Sequence, residues 1–358
     1  MGGPGWLPEL ERLAAEENFS SVLALATEAL ASASDQRSEA LARYYGGQAR
    51  IRMAMPKRGR AEVLMARAIF ERIGDDRMAV ECLDWEATAL HLGEDRRALP
   101  VAQEALRRCR LQCPNAHALH GRIQGHLGAI HIARHDWVNA IRSYEAAESA
   151  TSGVRDLGRL LRMYNDLCVA HLELGDTRRS VEYGERALAI QSVVRDPASR
   201  ARLENNLGLA LLRHGSLDVA EERLARSLQL CRELGLDVGR AHVLLSVAEL
   251  HAGRGDLRRS EEVAGEAADL AERLDERMTL AAAMHLMGRI RDGRGDRQGS
   301  DCAFARALEL LSEAGARERL AECHACYAQV LEDRGDIDAA LGHWQQAIGA
   351  VRHRGGPT

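Results

Sequence analysis

The stretch LENNLGLALLRHGSLDVAEERLARSL, residues 203–228, decides the fold. Leu203, Leu207 and Leu211 recur at helical spacing and stop at Gly215-Ser216, after which Leu217, Ala220, Leu224 and Leu228 resume it. Two amphipathic helices joined by a tight turn follow from that pattern. The glycine can end the first helix in a left-handed conformation, and the polar residue after it can cap the second. The same turn recurs every forty residues, as His135-Asp136, Gly175-Asp176, Gly255-Asp256, Gly295-Asp296 and Gly335-Asp336.

Small side chains keep the same register. Five residues beyond the start of each turn stand Ala140, Ser180, Ala220, Ser260, Ser300 and Ala340, and seven further on Ala147, Ala187, Ser227, Ala267, Ala307 and Ala347. Seven residues before it stand Gly128, Cys168, Gly208, Ala248, Gly288 and Ala328. Columns of small residues mark close helix contacts, and a fixed period of this length marks a stack of helix pairs.

Read outward, the period predicts an all-α solenoid of nine antiparallel pairs, a right-handed superhelix running through 1–358 as one domain. Residues 6–34 form a capping pair, 38–113 two divergent repeats and 116–353 six regular ones, with 354–358 a tail. Met55-Pro56-Lys57-Arg58-Gly59 predicts a longer, differently shaped loop in the second pair, and Gly93-Glu94-Asp95 an irregular turn in the third.

The motifs Tyr164-Asn165-Asp166-Leu167-Cys168 and Glu204-Asn205-Asn206-Leu207-Gly208, each followed by the turn and the two small residues, resemble the tetratricopeptide repeat. The forty-residue unit is longer than that family's usual one, and is similar to the sensor arms of bacterial transcription regulators. Such a resemblance implies that first helices line a concave groove, with their second, fifth, ninth, twelfth and thirteenth positions facing a bound peptide.

On that register the second position reads Arg122, Arg162, Arg202 and His242, and the fifth includes Asn165, Asn205 and His285. Arginine holds carboxylates through paired bonds, while asparagine both donates to and accepts from an extended backbone. Together they point to an acidic, extended protein segment as partner. Glu249, Asp292, Glu322, Glu332 and Asp333, interrupted by Arg289, make the C-terminal part of that surface acidic. The expected function is a non-catalytic scaffold or regulatory adaptor. A sensor module for a peptide or small molecule is the alternative, and a nucleic-acid-binding helical repeat a weaker one.

Composition supports binding over the other classes. Hydrophobic residues make up 46% and aromatics 4%, while the net charge of -5 argues against a general nucleic-acid binder. Lys57 is the single lysine among 48 basic residues, the usage of a GC-rich bacterial genome. No run approaches the roughly 20 apolar residues of a membrane span. The N-terminus lacks a signal peptide's basic start and apolar core, so a cytoplasmic protein is expected.

The eight cysteines read as reduced packing residues, Cys323-His324-Ala325-Cys326 included, because that CxxC lies inside a helical repeat. Cys109, Cys113, His117 and His120 are zinc-ligand types around a connector at Pro114-Asn115. Their spacing makes them a weak candidate, and neither metal nor cofactor is expected. No phosphate-binding glycine loop or nucleophile setting occurs, so no enzymatic activity is expected.

Overall fold

The computed structural model describes residues 4–150 and 156–352. Residues 151–152 of the fourth pair's expected range and the tail at 354–358 lie outside them.

The described chain is helical, with no strand. It forms two compact units, the first ending at Leu174 and the second beginning at Gly175. The first holds α1 (Leu7–Ala15), α2 (Phe19–Ala31), α3 (Gln36–Arg52), α4 (Pro56–Ile73), α5 (Asp76–Leu92), α6 (Ala98–Gln112), α7 (His117–Ala133), α8 (Trp137–Ala150) and α9 (Leu157–Glu173). The second holds α10 (Thr177–Val194), α11 (Pro197–His214), α12 (Leu217–Glu233), α13 (Asp237–Gly253), α14 (Leu257–Arg273), α15 (Arg277–Gly293), α16 (Arg297–Glu313), α17 (Arg317–Asp333) and α18 (Ile337–Arg352).

Every within-pair turn passes through a residue at positive φ. These are Glu17, Ala54, Glu94 and His135, then Gly175, Gly215, Gly255, Gly295 and Gly335. The next residue often caps the following helix, as where Asp256 accepts from the Arg259 N–H at 3.1 Å and Asp296 from that of Gly299 at 2.9 Å. Ser216 makes no such side-chain bond, so its helix starts without the expected cap.

The second pair corrects one expectation. Between α3 and α4 lie only Met53, Ala54 and Met55, the length found between α13 and α14. Pro56 sits at the first position of α4, where its missing N–H would have had no helical partner anyway. The proline starts the helix and does not lengthen the loop.

Small residues hold the pairs together by admitting a large neighbour. A Cβ on Gly128 would stand 2.6 Å from the Tyr144 ring, one on Gly208 2.7 Å from Leu224, and one on Gly288 2.8 Å from Phe304. The irregular second pair does the same, with Gly47 against Val63 at 2.7 Å. Each large partner lies sixteen residues beyond its glycine. Ala248 has Ala264 at that offset instead, both fully buried. Buried hydroxyls in the small columns donate to carbonyls, Ser227 to Ala201 at 2.6 Å and Ser260 to Ala248 at 2.7 Å, so their burial leaves those groups paired.

Within each unit the first helices of successive pairs touch: α3 meets α5, α5 meets α7 and α7 meets α9, and likewise α11, α13, α15 and α17 in turn. No two second helices do so among the described residues. Each stack therefore curves with its first helices on the inner side.

Candidate inner faces of the two units

Counting back from the positive-φ residue of each turn, rather than by a strict forty, fixes which side chains share the inner face. Thirteen residues before it stand Glu81, Arg122, Arg162, Arg202 and His242, and ten before it Tyr44, Asp84, Gly125, Asn165, Asn205, Leu245 and His285. The third turn lies 41 residues before the fourth, so Glu81 and Asp84 escape a forty-residue register. The turn residue was the signal that would have found them.

In the first unit this shift matters chemically. The Arg122 Nε donates to Asp84 at 2.9 Å and its Nη2 to Glu81 at 3.2 Å. His126 stands 2.7 Å from the other Asp84 oxygen, Tyr44 donates to Glu81 at 2.8 Å, and Trp85 donates to the Tyr44 hydroxyl at 3.2 Å. Asp84 is fully buried, and burial alone would raise its pKa. His126 and Arg122 outweigh that and hold it below the ordinary carboxylate value. Arg122 is thus a structural cation, tied to its own chain's carboxylates.

Arg162 differs. It is exposed and has no carboxylate partner among the described residues. Arg159, one turn earlier on α9, has its pKa pulled below the usual value mainly by burial; Asp156 opposes this, and Arg122 and Arg162 add to it. Arg159 and Arg162 therefore lie on the same helix within two turns of Asn165, which is itself buried.

In the second unit Arg202 is likewise exposed without a carboxylate partner, and the Asn205 Oδ1 is buried with no hydrogen-bond partner. His242 is exposed, its Nδ1 2.9 Å from the Val238 carbonyl and its Nε2 3.3 Å from Thr279. Glu249 pairs with Arg213 at 3.5 Å and Asp292 with Arg334 at 2.6 Å, so part of the expected acidity is neutralised internally. Arg289 is exposed and unpaired among the described residues. His285 has its pKa lowered to about 4, by burial first and then by Arg289 and Arg319, and its Nε2 is buried without a partner. A neutral imidazole edged by two arginines favours an anion that also accepts or donates a hydrogen bond.

Cys109, Cys113, His117 and His120 do line one depression, with Arg110 and Pro114. The Arg110 Nε donates toward the His120 Nε2 at 3.5 Å, and no three metal-binding side chains converge there or elsewhere among the described residues. All eight cysteines are free thiols; burial pushes the buried Cys323 up to about 12 and raises its neighbour Cys326. No described helix is long and apolar enough to cross a membrane.

Comparison with known proteins agrees with this architecture. A tetratricopeptide repeat family profile matches residues 159–233. No curated protein matches the sequence. Among solved structures, the apo form of RapI aligns with a TM-score of 0.72 at 11% identity, covering 97% of this chain and 96% of that one. The apo quorum sensor NprR from B. thuringiensis gives 0.69 at 13%, covering 97% and 98%. A Rap protein complexed with Competence and Sporulation Factor gives 0.65 at 14%, covering 88% and 98%. Residues 159–233 match the tetratricopeptide repeat, and the fold of the chain is similar to that of RapI and NprR.

Proposed function

We propose that this protein is a non-catalytic regulatory adaptor that binds an acidic, extended protein segment on its first-helix faces. The observation that carries this reading is Arg202 on the second unit's inner face, exposed without a carboxylate partner among the described residues; Arg162 stands in the same way on the first unit's own inner face. Uncompensated guanidinium groups attract carboxylates, and the unpartnered Asn205 Oδ1 suits a backbone N–H of a ligand held by Arg202. Arg122 contributes by holding the inner helices of the first unit together. His242, His285 and Arg289 extend the surface in the second unit, and Glu249 pairs with Arg213 rather than with a ligand.

A sensor form of the same reading has support of its own. One fold neighbour is named a quorum sensor and another is complexed with Competence and Sporulation Factor. We place the protein in the cytoplasm. The recurrence of helix pairs from α1 to α18 supports treating residues 1–358 as one array. A nucleic-acid partner would need a far more basic surface than a chain of net charge -5 offers.

The test is capture of the partner from the native cell, followed by binding measurements on Arg162→Glu, Arg202→Glu and the double variant. Arg202→Glu should weaken binding on the second unit's face and Arg162→Glu binding on the first unit's face, each with helicity intact. Losing a desolvated charged contact costs about 2–5 kcal/mol. Wild-type affinity in the double variant would overturn the assignment, as would a captured partner that proves to be RNA or DNA.

A further inference from the structure

Two buried polar atoms on first helices of the second unit have no hydrogen-bond partner among the described residues, the Asn205 Oδ1 on α11 and the His285 Nε2 on α15. Asn205 stands ten residues before Gly215 and His285 ten before Gly295, so both hold one register position, two pairs apart. The same position is Leu245 on α13 and Ala325 on α17, which bring no polar side chain there.

Each of the two also has an exposed arginine within about one turn of its own helix. Arg202 lies three residues before Asn205 and Arg289 four after His285, and neither has a carboxylate partner among the described residues. Steps of three and four place side chains on one helix face, so α11 and α15 each present a guanidinium beside an unsatisfied polar atom. A buried polar atom left unpaired destabilises the fold that carries it, and packing alone accounts for neither one. Around His285 the positive charge is doubled, because Arg319 of α17 acts on the imidazole together with Arg289, and burial keeps that ring neutral at pH 7.

The stacking sets the distance between the two. α13 touches both α11 and α15, and those two helices do not touch each other. Packed helices lie about 8–10 Å apart, so α11 and α15 are about 16–20 Å apart across the face. An extended chain advances about 3.3 Å per residue and covers that span in about five to six steps. Arg202 precedes its polar neighbour and Arg289 follows its own, so the line between the guanidinium groups runs obliquely and favours the longer count. Midway it crosses α13 at Leu245, a half-buried apolar side chain.

We propose that the inner face of the second unit reads two carboxylates about six positions apart in one extended peptide segment, with an apolar residue between them. One carboxylate meets Arg202 and the other meets Arg289 and Arg319, while main-chain groups of the segment satisfy Asn205 and His285. This rests on the reading of that face as a site for an acidic segment, and adds the spacing that the segment must have.

The probe is a displayed library of random linear nonapeptides, selected against the full chain. Selected sequences should carry two Asp or Glu residues about five or six positions apart, with an apolar residue between them. Selection against Arg289→Ala should keep one acidic position and lose the other, and selection against Arg202→Ala should do the reverse. A synthetic peptide of selected sequence should bind either variant at least about tenfold more weakly than the wild type, at unchanged helicity. Arg226→Ala, exposed on the second helix α12, should bind it as the wild type does. Acidic sequences without fixed spacing, or a peptide indifferent to Arg289→Ala, overturn the two-point proposal and leave the acidic-segment reading standing. Selected sequences that lack acidic residues, or none above background, overturn both.

Discussion

Ala54 shows what the turn demands of a single residue. Its φ of 59° lies in the left-handed region, which costs an L-residue about 1–2 kcal/mol, and unlike Asn or Asp it has no side-chain hydrogen bond to offset this. Ala54→Gly should therefore stabilise the first unit by about 0.5–1 kcal/mol after glycine's own entropy cost, read as a raised denaturation midpoint. No change would mean that the left-handed geometry there carries no strain. Asp84 makes the opposite demand. Its carboxylate is buried between Arg122 and His126, so Asp84→Ala leaves His126 without its acid and Arg122 with Glu81 alone, and should cost about 3 kcal/mol. Its pKa is depressed in the folded state, so the stability it supplies is fully present above the unfolded value near 4 and is lost as pH falls through the folded one. A variant with unchanged acid sensitivity of the first unit would contradict that. The two residues also differ in how they reveal themselves. A left-handed turn was legible where glycine filled it, and hidden at Ala54. Asp84 was invisible because nothing local in α5 announces a partner two helices away on α7.

At the scale of the helix pair, the columns of small residues were legible from period alone, but their size matching was not. Gly208 meets Leu224, whereas Ala248 has Ala264 at the same offset, so what repeats is the summed volume across the crossing rather than either residue. Gly208→Leu should overpack the crossing and destabilise by about 1–3 kcal/mol. Gly208→Ala and Leu224→Ala together should cost less than their separate effects added, because the smaller neighbour makes room for the new methyl group. Strict additivity would show that the two side chains do not share one contact. A rigid forty-residue count also explains which residues of the candidate face the sequence missed. One additional residue between the third and fourth turns moved Glu81 and Asp84 out of register, and their absence made Arg122 look free. His285 is a further case in which packing decides chemistry. It lies on a first helix 5.8 Å from the Phe304 ring, and its pKa of about 4 is well below the unfolded value near 6.5. The second unit keeps its full stability from this group above pH 6.5 and loses stability as pH falls toward 4, by an amount on the order of 3 kcal/mol. His285→Gln should flatten this part of the stability profile; an unchanged slope would place the titration elsewhere.

For the whole molecule, the distribution of buried side chains sets how it unfolds. Large apolar clusters lie inside each unit, as with Phe70 and Trp85 among α3 to α5, and Phe304, Leu310 and Ile290 among α15 and α16. The flanking elements have less. The core of α1 and α2 consists of Leu10, Leu13, Val22 and Ala26 with Ala49 from α3, and α18 leaves Ile337, Leu341 and Ile348 exposed. In a stack where each pair contacts only its neighbours, stability is a sum of local terms, so an element with a neighbour on one side only opens first. Native-state hydrogen exchange should therefore show graded protection. Amides of α15 and α16 should exchange only through the largest openings, while those of α1, α2 and α18 should exchange through small ones with little dependence on denaturant. Uniform protection from α1 to α18 would mean that the chain opens as one cooperative block, and the nearest-neighbour account of its stability would fail.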